Sequence, residues 1–226
     1  MANERLLALL RQGTSCWNDW RKSNPGIKPD ITWANLTGIN LLGADLSNAN
    51  LTGANLYQAN LRKANLCKVN LTKAYLNEAM LAEADLNQAT LSDADCYEAN
   101  FNGAIVTASI LVRAYFKRAK LAQANFYKAD LSEANFSGAI LSGAYLKEAD
   151  LSWANLTEAR LDRAYLGKAN LSGANLERAN LTGANLLGAE LADANLLNAN
   201  LSRTNLNGIH PLNSRSSAKA RFAIGA

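Results

Sequence analysis

Residues 49–66 read ANLTGANLYQANLRKANL, and the spacing of Leu51, Leu56, Leu61 and Leu66 decides the fold. One Leu stands in every five residues, with Ala two places before it and Asn between, so the unit is A-(N/D)-L-x-x, often with Ser or Thr after the Leu. Followed outward in both directions, the register holds from Ile31 to Leu206 without a slip. Of its 36 central positions 29 are Leu; the others are Ile31, Cys96, Phe101, Val106, Phe116, Phe126 and Phe136. Three places after each centre, over positions 34–209, Ala is broken only at Ile39, Val69, Ser109, Thr204 and Ile209.

A period of five suits neither ordinary element. On a helix, at about 100° per residue, successive leucines would step around the surface instead of forming a stripe. On a straight strand an odd spacing sends alternate leucines to opposite faces. All of them point inward only if the backbone turns a corner once per repeat, so the chain must coil around its own leucines. Asn, Asp and Gly near the corners supply turn chemistry, and Ala beside Leu fits a tube too narrow for a second large side chain.

The number of sides can be read from charge. Positions two after each centre point outward, so residues one coil apart stack there. At a separation of 20, eight pairs are opposite: Lys63/Glu83, Lys73/Asp93, Asp93/Arg113, Glu98/Arg118, Arg113/Glu133, Lys128/Glu148, Glu148/Lys168 and Glu158/Arg178. Only Glu78/Glu98 is alike, whereas a separation of 15 gives a near-even split. Four sides per coil make nine coils, a rod roughly 43 Å long at the ~4.8 Å spacing of neighbouring strands. The Phe cluster from 101 to 136 predicts coils that are locally wider or repacked.

Residues 1–30 lie outside the repeat and read as a helical cap over the first coil. Leu6, Leu9 and Leu10 share a helical face, Gly13 ends that helix, and a second short helix carries Trp17 and Trp20 until Asn24-Pro25 breaks it. Without such a cover the first coil would expose Leu and open strand edges. The expected organisation is therefore a cap over 1–30, a repeat rod over 31–209, and a basic tail over 210–226 with Arg215, Lys219 and Arg221. Phe222 and Ile224 are candidates to fold back over the last coil.

The unbroken tandem of A-(N/D)-L-x-x resembles the pentapeptide-repeat family, and the resemblance covers 31–206. The leader Cys16-Trp17-Asn18-Asp19-Trp20-Arg21 is also similar to leaders on proteins of that kind. The resemblance implies an all-β solenoid, a right-handed quadrilateral β-helix, of a type abundant in cyanobacteria. It implies two further things: that some members bind DNA gyrase by imitating the shape and negative charge of duplex DNA, and that in those members two chains join into a homodimer through their C-terminal ends.

The chain carries a net charge of +4, but the region 31–206 is balanced, with 15 Lys/Arg against 16 Asp/Glu, and the basic surplus sits at the ends. A DNA mimic should be acidic along its length, and a DNA binder needs a basic stripe, so nucleic acid is not the expected ligand. Three cysteines without metal spacing point to a reducing cytoplasm. The opening MANERLLALLRQG does not read as a signal peptide, and no run approaches the ~20 apolar residues of a membrane span. The only histidine, His210, stands where the register ends. Cys96 is a central residue and Cys67 points outward without a base placed near it. No phosphate loop, metal spacing or triad appears, so neither catalysis nor a cofactor is expected.

The surface does carry a pattern. Glu78, Glu83, Asp85, Asp93, Asp95 and Glu98 form an acidic band, followed by the basic band Arg113, Lys117, Arg118, Lys120 and Lys128. Such collars either neutralise one another through the 20-residue ladders or orient a charged partner. Trp33 and Trp153 fall at outward positions, with Trp33 expected under the cap, and Tyr145 and Tyr165 are one coil apart. Trp153, Tyr145 and Tyr165, with Arg113, Arg118, Glu78 and Glu98, are the candidate partner-binding residues. The expected function is a structural or adaptor protein for a protein partner, with gyrase binding as the alternative.

Overall fold

Each backbone bridge of the repeat joins a residue to the one twenty places on, in parallel, from Asp30↔Asn50 to Asn185↔Asn205. The computed structural model in which they are seen describes residues 3–209. An offset of twenty with a repeat of five gives four sides per coil, the number the charge ladders predict.

Three hydrogen bonds per repeat build the wall. The Leu51 N–H donates to the Asn70 carbonyl of the next coil at 2.7 Å, and the Gly53 N–H to that of Thr72 at 2.9 Å. Asn55 N–H donates back to the Ala34 carbonyl at 2.9 Å. The corner itself closes with Ala54 N–H on the Leu51 carbonyl at 3.0 Å, a four-residue turn whose third residue has positive φ, as type II turns require.

That left-handed position differs from expectation. Glycines occupy it at Gly53 and Gly173, but so do Lys63 (φ 56), Glu83 (φ 60) and Arg113 (φ 57). An L-residue there costs roughly 1–2 kcal/mol, and it persists because hydrogen bonds to neighbouring coils fix the backbone on both sides. Asn and Asp serve the corner from the bridge position instead. Asn50 Oδ1 accepts both the Thr52 N–H (3.2 Å) and the Thr52 hydroxyl (2.7 Å), which accounts for Ser or Thr following Leu. Between coils the amides form ladders, as where Asn60 Nδ2 donates to Asn40 Oδ1 at 2.9 Å.

Leu and Ala fill the axis, with Leu121 and Ala124 fully buried. Repacking takes the form of an aromatic column: Phe116 stacks on Phe136 (centroids 5.1 Å, 3° apart) and meets Phe101 edge-on at 5.4 Å. Small Cys96 and Val106 share a coil with Phe101, offsetting its volume. Buried Ser109 donates its hydroxyl to the Leu86 carbonyl at 2.7 Å and accepts from Ala89 N–H at 3.1 Å.

Two helices precede the coils, α1 (Glu4–Arg11) and α2 (Thr14–Ser23). Asn3 caps α1 by accepting from the Arg5 and Leu6 N–H groups. Leu6, Leu7 and Leu10 are its buried face, so Leu7 takes the place expected of Leu9, which is only partly buried. Trp17 is fully buried and tilts against the half-covered Trp20 at 5.2 Å. Trp17 Nε1 donates to the Asp45 carbonyl at 2.7 Å.

The edge of the first coil is closed by side chains that imitate backbone. Asn18 donates Nδ2 to the Gly43 carbonyl and accepts from Asp45 N–H, while Arg21, 5% exposed, donates to the carbonyls of Ser47 and Ile27. This is how the chain satisfies groups that would otherwise template a further strand. The tail from His210, with Phe222, Ile224 and the dimer end, lies outside the described residues.

Candidate interaction surface

Outward residues reach the surface at corners fixed by the twenty-residue offset, so the exposed aromatics are rigidly placed. Trp153 is 68% exposed, with its indole across Gly173 one coil on; a Cβ at Gly173 would lie 2.6 Å from the ring. Trp33 repeats the arrangement over Gly53, six coils away on the same corner. It is 63% exposed, not covered by the cap as expected. The glycine in the next coil gives the indole a flat seat, so the ring lies along the wall and merely borders Glu4, Leu7 and Arg11 of α1.

Tyr145 and Tyr165 do meet, with centroids 5.8 Å apart, and Tyr127 joins them 6.0 Å below Tyr145. Tyr145 and Tyr165 line a groove of about 340 Å³ with Lys147, Gly167, Lys168, Asn185 and Leu187. The sequence reading does not reach this groove, although Gly167 is the one glycine of residues 31–208 that directly follows a central Leu and so stands off the corner position.

The charge collars are largely cross-linked. Arg113 grips Asp93 with two bonds of 2.8 and 3.1 Å, and Arg118 lies 3.7 Å from Glu98. Lys63–Glu83 (3.6 Å), Lys128–Glu148 (3.6 Å) and Arg178–Glu158 (3.4 Å) complete the pairs that form. Lys73/Asp93, Arg113/Glu133 and Glu148/Lys168 do not close among the described residues. In each of the three, one member is already drawn toward its neighbour on the other side: Asp93 to Arg113, Arg113 to Asp93, and Glu148 to Lys128. The like pair is relieved locally, since Gln58 Nε2 donates to Glu78 at 2.9 Å.

The Arg113 hydrogen bond holds the Asp93 carboxyl below its ordinary range. A depressed carboxylate stabilises the fold above its unfolded pKa and loses that contribution as pH falls through the folded one. Asp93→Asn is therefore expected to lower the urea midpoint slightly at pH 7, by less in high salt. The difference should vanish near about pH 2. Urea titrations of both proteins at the two pH values check it.

Reactive chemistry is sparse. Burial pushes the Cys96 thiol well above its ordinary pKa, and burial, then the Asp85 charge, raises that of Cys67, both of which disfavour the thiolate. Among the described residues no cluster of His, Cys, Asp and Glu could hold a metal ion, and no helix is long and apolar enough to cross a membrane.

The family model for pentapeptide repeats matches in 8 copies, over residues 30–66, 70–107, 109–147, 144–183 and 169–208. Among solved structures, the chain is 34% identical to HetL, a pentapeptide repeat protein involved in heterocyst differentiation regulation from the cyanobacterium Nostoc sp. strain PCC 7120. That likeness covers 85% of this chain and 92% of HetL, with a TM-score of 0.69. QnrB1, a plasmid-mediated fluoroquinolone resistance protein, is 17% identical over 82% of this chain and 94% of its own, with a TM-score of 0.53, a likeness of fold alone. No curated protein matches significantly.

Proposed function

The chain belongs to the pentapeptide-repeat family of right-handed quadrilateral β-helices, and from that premise we propose that it is a non-catalytic adaptor whose rigid faces dock a protein partner. The observation that carries this reading is the Trp153 indole, 68% exposed and seated flat over Gly173. An aromatic surface already fixed in place loses little entropy on binding, and Trp is favoured at binding hot spots. The likeness to HetL supports a regulatory setting, in which a rod acts by what it holds. Three free thiols, Cys16, Cys67 and Cys96, support a reducing, cytoplasmic location.

Charge weighs against gyrase binding by DNA mimicry. The repeat region is balanced, and the collar at Arg113 and Arg118 interrupts any continuous negative face.

Affinity capture with and without crosslinking tests the proposal. The wild-type chain is expected to retain a stoichiometric protein, and Trp153→Ala to weaken its retention by about tenfold or more. Failure to retain any protein after crosslinking, or equal retention by the variant, would overturn it.

A further inference from the structure

Gly167 occupies a position where its own column carries Tyr127, Lys147 and Leu187. The backbone does not require glycine there: its φ is not left-handed, and an added Cβ would meet only the Leu187 carbonyl at an ordinary 3.6 Å. What the missing side chain does is open a notch in the wall between Tyr165, 52% exposed, and Leu187, 49% exposed. The notch is the floor of the groove of about 340 Å³, within the size range of ligand sites.

Its chemistry is apolar at the centre and cationic at the margin. Lys147 and Lys168 both line it. Glu148 stands between them in the chain, but Lys128 at 3.6 Å and Lys147 at 3.7 Å already engage it. Among the described residues no carboxylate reaches Lys168, which leaves its ammonium for a ligand. Tyr145 has a ring neighbour on each side, Tyr127 and Tyr165. Tyr145 is thus flanked by rings, and the notch beside Tyr165 suits an aliphatic group better than the run of free ring faces on which successive nucleobases stack.

We propose that this groove binds an acidic segment of a partner protein, seating one leucine-sized side chain in the Gly167 notch while flanking carboxylates reach Lys147 and Lys168. The assignment rests on the protein-docking reading above and supplies the partner's chemistry: an aliphatic anchor between acids. Gly167 is its specificity-determining position.

The test is fluorescence anisotropy with the labelled pentapeptide Asp-Glu-Leu-Asp-Glu at low salt. Saturable binding is expected, weakened about tenfold or more by Lys168→Glu and equally by Gly167→Leu, which fills the notch without altering the melting temperature. Arg178→Ala, on the opposite corner where it pairs with Glu158, should leave it unchanged. No binding up to about 1 mM peptide, equal binding of the peptide with Ser in place of Leu, or tighter binding of an oligothymidylate would each overturn the proposal. If the peptide fails while Trp153-dependent capture succeeds, the docking reading stands and only this groove is misassigned. If both fail, the docking reading falls too.

Discussion

Leu121→Asp is expected to abolish the cooperative unfolding transition, whereas Thr182→Ala should leave it nearly in place. Leu121 is fully buried, and the register stacks it between Phe101 and Leu141, with no polar group in the column to receive a carboxylate. Ionised there, the side chain forfeits its hydration without a partner, on the order of 5 kcal/mol or more. That rivals the whole stability of many domains, about 5–15 kcal/mol. The position makes it worse, because contacts pass only between adjacent coils and a broken coil near the middle divides the array. The hydroxyl of Thr182, half-buried on the wall, donates to Asn180 Oδ1 at 2.6 Å, and the backbone bond from Arg163 N–H to the Thr182 carbonyl survives the substitution. Loss of the hydroxyl should move the melting temperature by about 1–3 °C. Thermal circular dichroism at neutral pH checks both. Equal transitions would contradict the assignment of central positions to the inside.

Phe116→Ala should cost about 3–5 kcal/mol, or roughly 6–20 °C in melting temperature. Phe116 contacts aromatic rings in two directions, face-on to Phe136 and edge-on to Phe101. Truncation therefore leaves a void that hydrogen-bonded walls cannot collapse to fill. Phe116→Leu restores the residue that most coils carry at this position and should cost less than about 1.5 kcal/mol. Melting curves of the two variants separate cavity from stacking. If Ala and Leu behave alike, the cost lies in the lost ring contacts and not in the void.

The wall was legible in the sequence because its rule repeats. Leu at every fifth place fixes the inside, and opposite charges at twenty fix the number of sides. What was not legible is whatever depends on competition or on one side chain reaching another coil. Glu148 has Lys128 and Lys168 at the same separation, and only geometry decides that Lys128 holds it. Asn18 and Arg21 gave no signal of their role, since closing the edge of a coil requires reaching across more than twenty residues to Gly43 and Ser47. Trp33 was expected under the cap because it lies near it in the chain. The glycine twenty residues on, Gly53, draws the ring onto the wall instead. The long side chains of Lys63 and Glu83 at left-handed corners run against intrinsic preference, and are tolerated because the coils above and below hold the backbone.

The constant offset of twenty also sets how such a chain can change without losing its fold. Inserting twenty residues adds a storey of about 4.8 Å and leaves every downstream feature on its original side. Inserting five swings all that follows by a quarter revolution, so Trp153 would leave the edge it shares with Trp33 while the interior stayed filled. Any other number breaks the screw. Evolution or design can thus tune the distance between two docking points, or the angle between them, as separate and discrete adjustments.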